Sequence, residues 1–173
     1  MRRLFALAPL VAIVAAIALF AGWSLKRDPH VTPEAMVGKP LPDLVLANLD
    51  GGGRTSLRAV VKGPVLVNFY ASWCAPCAQE SPTLMALKYE GVRIVGVSYE
   101  DRHQPGDTAA FLKRLGDPYA AKLEDPDGAA GIEFGITGVP ETYAVDARGM
   151  IRAKRAAPID TTDAEALLAA ASK

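Results

Sequence analysis

Apolar and polar positions divide the chain into an apolar N-terminal segment, a short polar stretch and a longer region of short alternating elements. Residues 4–23 are almost continuously apolar, and their number is about that needed to span a bilayer. We therefore predict a membrane anchor at 1–27, a linker at 28–37 and a folded domain at 38–173. The alternative is a cleaved signal peptide, because Ala16-Ile17-Ala18 has the small-residue pattern of a cleavage site.

In the folded domain, short apolar runs predict strands that alternate with helices. Val65–Tyr70 is rich in β-branched and aromatic residues, which predicts a buried central strand. Helix formers over Ala75–Tyr89 and a second apolar run at 92–98 complete a parallel β-α-β unit. The remaining predictions are a strand at 43–47, a strand or helical turn at 55–61, helices at 107–115, 129–134 and 161–172, and a hairpin formed by 142–146 and 150–155. The pattern as a whole predicts an α/β protein.

Composition limits the choice of function only slightly. The chain has 173 residues and is 50% hydrophobic, enough for one domain with a core and an appendage. Its 19 Lys and Arg residues balance 19 Asp and Glu residues, so the charge gives no indication of a nucleic-acid surface. We predict no nucleic-acid partner.

The two cysteines, Cys74 and Cys77, form a C-x-x-C motif directly after the predicted central strand. Cys74 falls at the start of a helix, where unpaired N–H groups and the helix dipole favour a thiolate. Cys77 lies one turn later and is close enough to form a disulfide. Pro76 is tolerated because first-turn N–H groups have no helical acceptor. We expect Cys74 to be the exposed nucleophile and Cys77 the covered thiol that resolves a mixed disulfide.

Two other interpretations of the cysteines are weaker. A structural disulfide closing so short a loop would add only about 2 kcal/mol by the chain-entropy model. A zinc site would have to recruit His30 and His103 from remote polar segments. We predict no metal or other cofactor beyond the redox-active Cys74–Cys77 pair.

These motifs resemble a known family. The W-C-x-P-C sequence after a strand resembles the active site of thioredoxin-fold proteins, and Pro82 stands where that fold has its kink proline. The block 138–146, GVPETYAVD, resembles the G-V-P-E-T-F-x-I-D block of the DsbE/CcmG subfamily, which are membrane-anchored thiol–disulfide oxidoreductases of cytochrome c maturation. The resemblance implies a thioredoxin-like fold with a central mixed sheet flanked by helices. It also implies a single-pass anchor in the cytoplasmic (inner) membrane and a catalytic domain in the periplasm.

The resemblance also assigns acid–base residues. Thioredoxins have a buried carboxylate on the central strand, six residues before the first cysteine, and here that position is Asn68, which cannot accept a proton. Glu80 and Glu141 match acidic residues of the subfamily motifs. We therefore expect these two glutamates to supply acid–base catalysis.

Three further residues are expected to shape the site. The resemblance implies a cis peptide bond at Pro140, with the backbone groups of Val139 facing an extended substrate. Trp73 is expected to shield the thiols. A role in the core is the alternative for this tryptophan.

The predicted function is reduction of disulfides in apocytochrome c, or in its maturation partners, before haem attachment. A transmembrane thiol reductant would supply the electrons. A general oxidase or isomerase of exported proteins is the first alternative, although those enzymes tend to have a histidine between the cysteines, where this chain has Ala75-Pro76. A copper-delivery module is the second alternative, and it would require a C-x-x-x-C motif and a nearby histidine.

Overall fold

The structure is a computed structural model, and it describes residues 12–20, 22, 36–101 and 107–173. The chain divides into two units, Met1–Pro33 and Glu34–Lys173. In the first unit, residues 12–20 form a helix, α1. Across the described ranges, no helix has both the length and the apolar character required to cross a bilayer. Most of the predicted anchor and linker, as well as His30 and His103, lies outside the described residues.

Within its described residues, the second unit contains seven strands, which form one mixed sheet, and five helices, which lie on both faces of that sheet. In chain order they are β1 (Val45–Asn48), β2 (Arg54–Ser56), α2 (Leu57–Val60), β3 (Val65–Tyr70), α3 (Ala75–Tyr89), β4 (Ile94–Tyr99), α4 (Asp107–Leu115), β5 (Ala121–Asp125), α5 (Ala129–Phe134), β6 (Glu141–Val145), β7 (Ile151–Arg155) and α6 (Thr161–Ala171). The strand order across the sheet is β2-β1-β5-β4-β3-β6-β7.

The central strand β3 is buried along its whole length, because helices cover both faces of the sheet. It pairs with β4 in parallel and with β6 in antiparallel orientation. Leu66 and Tyr70 face a core shared with α3, α4 and α6, whereas Val67 and Phe69 face a core shared with α2 and α5. We call these two sides the α3 face and the α5 face. Asn68 alternates with Phe69 and therefore lies on the α3 face.

The predicted bounds of β3, α3, α4 and α5 are confirmed, and the 55–61 segment contains both a strand and a helical turn. The structure adds one strand that the sequence pattern did not indicate. β5 pairs with β4 on one side and with β1 on the other, although its Lys122 and Glu124 interrupt the apolar pattern. Lys122 is tolerated there because it pairs with Asp50 and Asp117 at the end of the sheet.

The start of α6 is fixed by a capping box. The Asp160 side chain accepts a hydrogen bond of 2.9 Å from the backbone N–H of Asp163, and the Asp163 carboxylate accepts one from the Asp160 N–H. This cap holds the residue before it, Ile159, which is buried and packs on the α3 face. The last helix therefore contributes to the same core as the C-x-x-C motif.

Candidate active site

Cys74 is the N-cap of α3, so the motif lies where the central strand passes into a helix. The two cysteines form a disulfide, with Cα atoms 5.3 Å apart. Cys74 Sγ accepts a hydrogen bond of 3.1 Å from the backbone N–H of Cys77. Pro76 is in the first turn, and no acidic side chain is present in that turn. In the reduced protein, this N–H and the positive end of the helix would stabilise a thiolate on Cys74.

Cys77 is covered, as the sequence predicted, but Cys74 is covered as well. Cys74 is only 4% exposed and Cys77 only 2%, so the expectation of an openly exposed Cys74 is corrected. The physical reason is the approach of a neighbouring loop: Cys74 Sγ lies 3.4 Å from the carbonyl oxygen of Val139. Trp73 is 53% exposed beside the motif, which excludes a role for its side chain in the core.

The loop over Cys74 is the one predicted from the G-V-P-E block. The Val139–Pro140 peptide bond is cis, and Pro140 is buried while Val139 remains partly exposed. The loop reaches the motif because β6 runs antiparallel to β3, which places the beginning of β6 beside the end of β3. The sheet topology thus brings residues 138–140 to Cys74 across 65 positions of sequence.

The buried polar centre of the site joins Asn68 to Glu80. Asn68 Nδ2 donates a hydrogen bond of 2.9 Å to Glu80 Oε1, and the backbone N–H of Ile159 donates one of 3.1 Å to Glu80 Oε2. Glu80 is 1% exposed, and its burial raises the pKa of the carboxyl to about 7 although both hydrogen bonds favour the charged form. Glu80 lies three residues after Cys77 on α3. A carboxyl with this pKa can take up and release a proton near neutral pH.

Two side chains that the sequence did not single out complete this network. The Tyr119 hydroxyl donates a hydrogen bond of 2.7 Å to Asn68 Oδ1, and Asn68 Nδ2 donates a second one, of 3.0 Å, to Thr142 Oγ1. Thr142 could have been found from the antiparallel register, in which it is the partner of Asn68. Tyr119 precedes the unpredicted strand β5, and the sequence held no signal that would have brought it here.

Glu141 lies elsewhere. It pairs with Phe69 across the sheet, so its side chain points to the α5 face, opposite the face of Asn68 and Glu80. Its carboxylate accepts hydrogen bonds from the Thr137 N–H, the Thr137 hydroxyl and the Tyr143 hydroxyl, and forms an ion pair of 2.8 Å with Lys154. Glu80 therefore lies on the helix that contains Cys77, whereas Glu141 binds the loop that covers Cys74.

Asp101 is another residue that the sequence analysis did not assign to the site. Its carboxylate accepts hydrogen bonds from the Ser72 N–H at 2.8 Å, the Ser72 hydroxyl at 2.6 Å and the Thr108 hydroxyl at 2.7 Å. Ser72 is two residues before Cys74. The end of β4 and the start of α4 therefore fix the turn that leads into the motif.

Within the described ranges, no group of three or more His, Cys, Asp or Glu side chains is arranged to hold a metal ion. The chemistry that the arrangement can perform is exchange between the Cys74–Cys77 disulfide and a thiol pair of another molecule. A paired C-x-x-C at the head of a helix, on this strand order, defines the class: the chain is a thiol–disulfide oxidoreductase with a thioredoxin-like fold.

Known proteins agree with this class. Residues 37–154 match the AhpC/TSA family. A thiol:disulfide interchange protein DsbE of Allochromatium vinosum is 44% identical over 157 residues, which cover 90% of this chain and 85% of that protein. The chain belongs to the AhpC/TSA family and, within it, to the DsbE thiol:disulfide interchange proteins.

Solved structures show the same fold. A thio-disulfide isomerase from Thermus thermophilus superposes with a TM-score of 0.64 at 29% identity, covering 79% of this chain and 98% of that one. A thiol:disulfide interchange protein of the thioredoxin family from Chlorobium tepidum gives a TM-score of 0.61 at 25% identity, covering 76% and 94%.

Proposed function

We propose that this chain is a periplasmic reductase, anchored in the cytoplasmic membrane by its N-terminal segment, that reduces disulfides of apocytochrome c or of its maturation partners for haem attachment. The observation on which the reductase mechanism rests is the buried Glu80 carboxyl on the helix of Cys77, held by Asn68. The choice of substrate is supported by the resemblance of the 138–146 block to the cytochrome c maturation subfamily. Anchoring is supported by the apolar segment 4–23.

The reaction starts from the reduced protein. The Cys74 thiolate attacks one sulfur of a substrate disulfide, forms a mixed disulfide and releases the other substrate sulfur as a thiolate. Glu80, in its charged form, takes the proton of the Cys77 thiol. The resulting Cys77 thiolate attacks Cys74 Sγ and expels the second substrate thiolate, which leaves the Cys74–Cys77 disulfide seen in the structure. Two electrons pass from the cysteines to the substrate.

The Val139 loop supports binding of an extended substrate. The Val139 carbonyl oxygen lies beside Cys74 Sγ, where it can accept a backbone hydrogen bond from a segment placed across the sulfur. The C-x-x-C-H haem-attachment site of an apocytochrome is a segment of this kind. Because the periplasm is oxidising, a transmembrane thiol donor must reduce the disulfide again after each turnover.

A general thiol–disulfide oxidase or isomerase of exported proteins is the second candidate. It is favoured by one observation, namely that the solved Thermus thermophilus relative is described as an isomerase. An isomerase would share the first chemical step with the reductase and differ in its substrates, whereas an oxidase would start from the Cys74–Cys77 disulfide and take two electrons from a substrate thiol pair.

Trapping of mixed disulfides tests the proposal. In the full-length Cys77→Ala variant, expressed in its native membrane, the step that releases the substrate is blocked. Mass spectrometry should then find Cys74 joined to C-x-x-C-H segments or to maturation proteins, and Cys74→Ala should trap nothing. A broad set of unrelated exported proteins on Cys74 would support the general oxidase or isomerase instead. A mature N-terminus at or near Leu19 would contradict the proposed anchor.

A further inference from the structure

Tyr119 lies beneath the polar centre of the site and is buried, with 7% of its surface exposed. Its ring packs so closely over β4 that a Cβ atom at Gly96 would lie 2.7 Å from it. The ring also stacks on Tyr70, with centroids 4.7 Å apart. These contacts hold the phenol in one place, and its hydroxyl donates to Asn68 Oδ1 at 2.7 Å.

We propose that Tyr119 is a positioning residue of the redox site, whose hydroxyl holds the Asn68 side-chain amide with its NH2 group toward Glu80. This inference rests on the proposed role of Glu80 as the proton acceptor for Cys77. It adds a residue outside the C-x-x-C motif, outside the G-V-P-E block and outside the helix that contains Glu80.

The argument concerns the two orientations of a buried amide. In the observed orientation, Asn68 Oδ1 accepts from Tyr119, and Nδ2 donates to Glu80 and to Thr142. Reversing the amide would bring its NH2 group to the Tyr119 hydroxyl and leave the hydroxyl hydrogen without its acceptor. A buried donor without an acceptor is costly, so the hydroxyl favours the observed orientation.

The orientation of the amide decides which form of Glu80 is favoured. With NH2 toward the carboxyl, Asn68 donates to the charged form. With its oxygen toward the carboxyl, Asn68 would instead accept a hydrogen bond from the protonated acid. Removing the Tyr119 hydroxyl frees the amide to reverse, and we therefore expect the pKa of Glu80 to rise further above its value of about 7.

The groups that face Glu80 come from four elements. Asn68 on β3 and the Ile159 N–H before α6 contact the carboxyl directly, and Tyr119, before β5, acts across Asn68. Cys77 lies one turn earlier on α3. The titratable members of this set are Tyr119 and the Cys77 thiol of the reduced protein. Burial disfavours the charged phenolate and raises the pKa of Tyr119 well above its ordinary value, so the hydroxyl keeps its proton at neutral pH.

The test compares two Tyr→Phe variants of the full chain. Tyr119→Phe keeps the ring and removes the donor. Tyr70→Phe is the matched control, because Tyr70 stacks on Tyr119 and is also buried, but its hydroxyl has no hydrogen-bond partner within the described residues. The readout is the titration of the Glu80 carboxyl carbon by NMR in the oxidised protein, labelled with 13C-glutamate and assigned with Glu80→Gln.

We expect Tyr119→Phe to raise the pKa of Glu80 by about one unit and Tyr70→Phe to leave it unchanged. The pH profile for release of substrate from the mixed disulfide should move upward by the same amount. An unchanged Glu80 titration in Tyr119→Phe, or equal shifts in both variants, would overturn the proposal. Asn68→Ala in the same background provides a further check, since Tyr119→Phe should then have no additional effect on Glu80.

A second measurement needs no substitution. The ring carbon bonded to the Tyr119 hydroxyl should titrate in the wild-type protein with the pKa of Glu80, because the two groups share the Asn68 amide; an invariant signal would contradict the coupling. The outcome also separates this inference from the proposed function. If Tyr119→Phe shifts Glu80 but Glu80→Gln leaves substrate release unchanged, Tyr119 positions the amide as inferred and the proton role of Glu80 fails.

Discussion

Asn68, on the central strand, donates a hydrogen bond of 2.9 Å to the carboxylate of Glu80 on the active-site helix. The strand position that holds the buried carboxylate of thioredoxins is thus occupied by an amide, and a carboxylate comes to it from the next element. The amide supplies a donor to the charged form of the acid, while burial opposes that form. The balance between these two effects sets the pKa of Glu80 at about 7, where a carboxylate can act as a proton acceptor at neutral pH.

The first prediction concerns the kinetics of Glu80→Gln. Glutamine keeps the size of the side chain and can accept the hydrogen bond of Asn68 or that of Ile159, because its amide has one oxygen, but it cannot accept the proton of Cys77. Release of substrate from the mixed disulfide should slow by about tenfold to a hundredfold at neutral pH. Its dependence on pH near 7 should also disappear. Single-turnover measurements across this range would check both effects.

Glu90→Gln is the matched control for that variant. Glu90 follows the same helix, and its side chain is exposed. The Glu90→Gln variant should release substrate at the wild-type rate. Wild-type kinetics in Glu80→Gln would leave Glu80 with a structural role alone.

The second prediction links Glu80 to stability. The pKa of Glu80 is about 7 in the folded protein, against an ordinary value of 4.5, so the folded state holds this proton more tightly than the unfolded state. The contribution of this proton to the stability of the folded state is therefore fully present below about pH 4.5 and is lost as the pH rises through about 7. The loss amounts to about 3 kcal/mol. Glu80→Gln should thus gain stability relative to wild type between about pH 5 and about pH 8.

Denaturant unfolding of the oxidised protein at the two pH values measures this difference. Each value is compared with wild type at the same pH, which removes the contributions of other titrating groups. A stability difference that does not change with pH would show that Glu80 is charged throughout the range.

The third prediction concerns the buried ion pair behind the Val139 loop. Lys154 is 5% exposed and Glu141 1%, so Lys154→Met leaves an unpaired buried carboxylate and should cost about 3 kcal/mol or more. The double variant Glu141→Gln with Lys154→Met removes both charges and should recover most of that stability. Unfolding measurements on wild type, Lys154→Met, Glu141→Gln and the double variant give the coupling between the two residues.

The same variants test whether the pair holds the loop. Glu141 binds Thr137 at the beginning of the loop. If a disulfide peptide docks against Val139 as proposed, Lys154→Met should slow its reduction. Reduction of a small disulfide that does not need the loop should be unaffected. Equal slowing with both substrates would point to a general loss of structure.

The fourth prediction assigns the reactive thiol. Cys74 is at the N-cap of α3, and its sulfur accepts the Cys77 N–H. In the reduced protein, Cys74 should have the lower pKa and should be alkylated first at about pH 6. Peptide mapping after brief exposure to iodoacetamide would identify the labelled cysteine. Preferential labelling of Cys77 would reverse the order of attack.

The sequence predicted those parts of the fold that depend on local interactions and missed those that depend on distant ones. The 65–89 region follows from a short apolar run, a C-x-x-C and a stretch of helix formers, all of which act within a few residues, and the structure confirms it. β5 was not predicted because its register depends on β1 and β4, which lie far away in sequence.

The two glutamates show the same limit within the site. Glu141 directly follows Pro140 in the chain, but side chains alternate between the faces of a strand, so that of Glu141 points to the α5 face. Glu80 reaches Asn68 because both lie on the α3 face, which the helical spacing alone did not establish. Tyr119 joins them only through the packing of the loop before β5.

The hydrogen bond from the Ile159 N–H to Glu80 spans 79 positions of sequence and has a consequence for the order in which the protein is made. A growing chain exposes Cys74 and Cys77 when about half of it has been synthesised, but Val139 and Ile159 follow much later. Until they arrive, Cys74 has no loop beside it and Glu80 lacks one of its donors. In a nascent chain, the two cysteines therefore lack these surroundings, and the redox centre is complete only after Val139 and Ile159 have been synthesised.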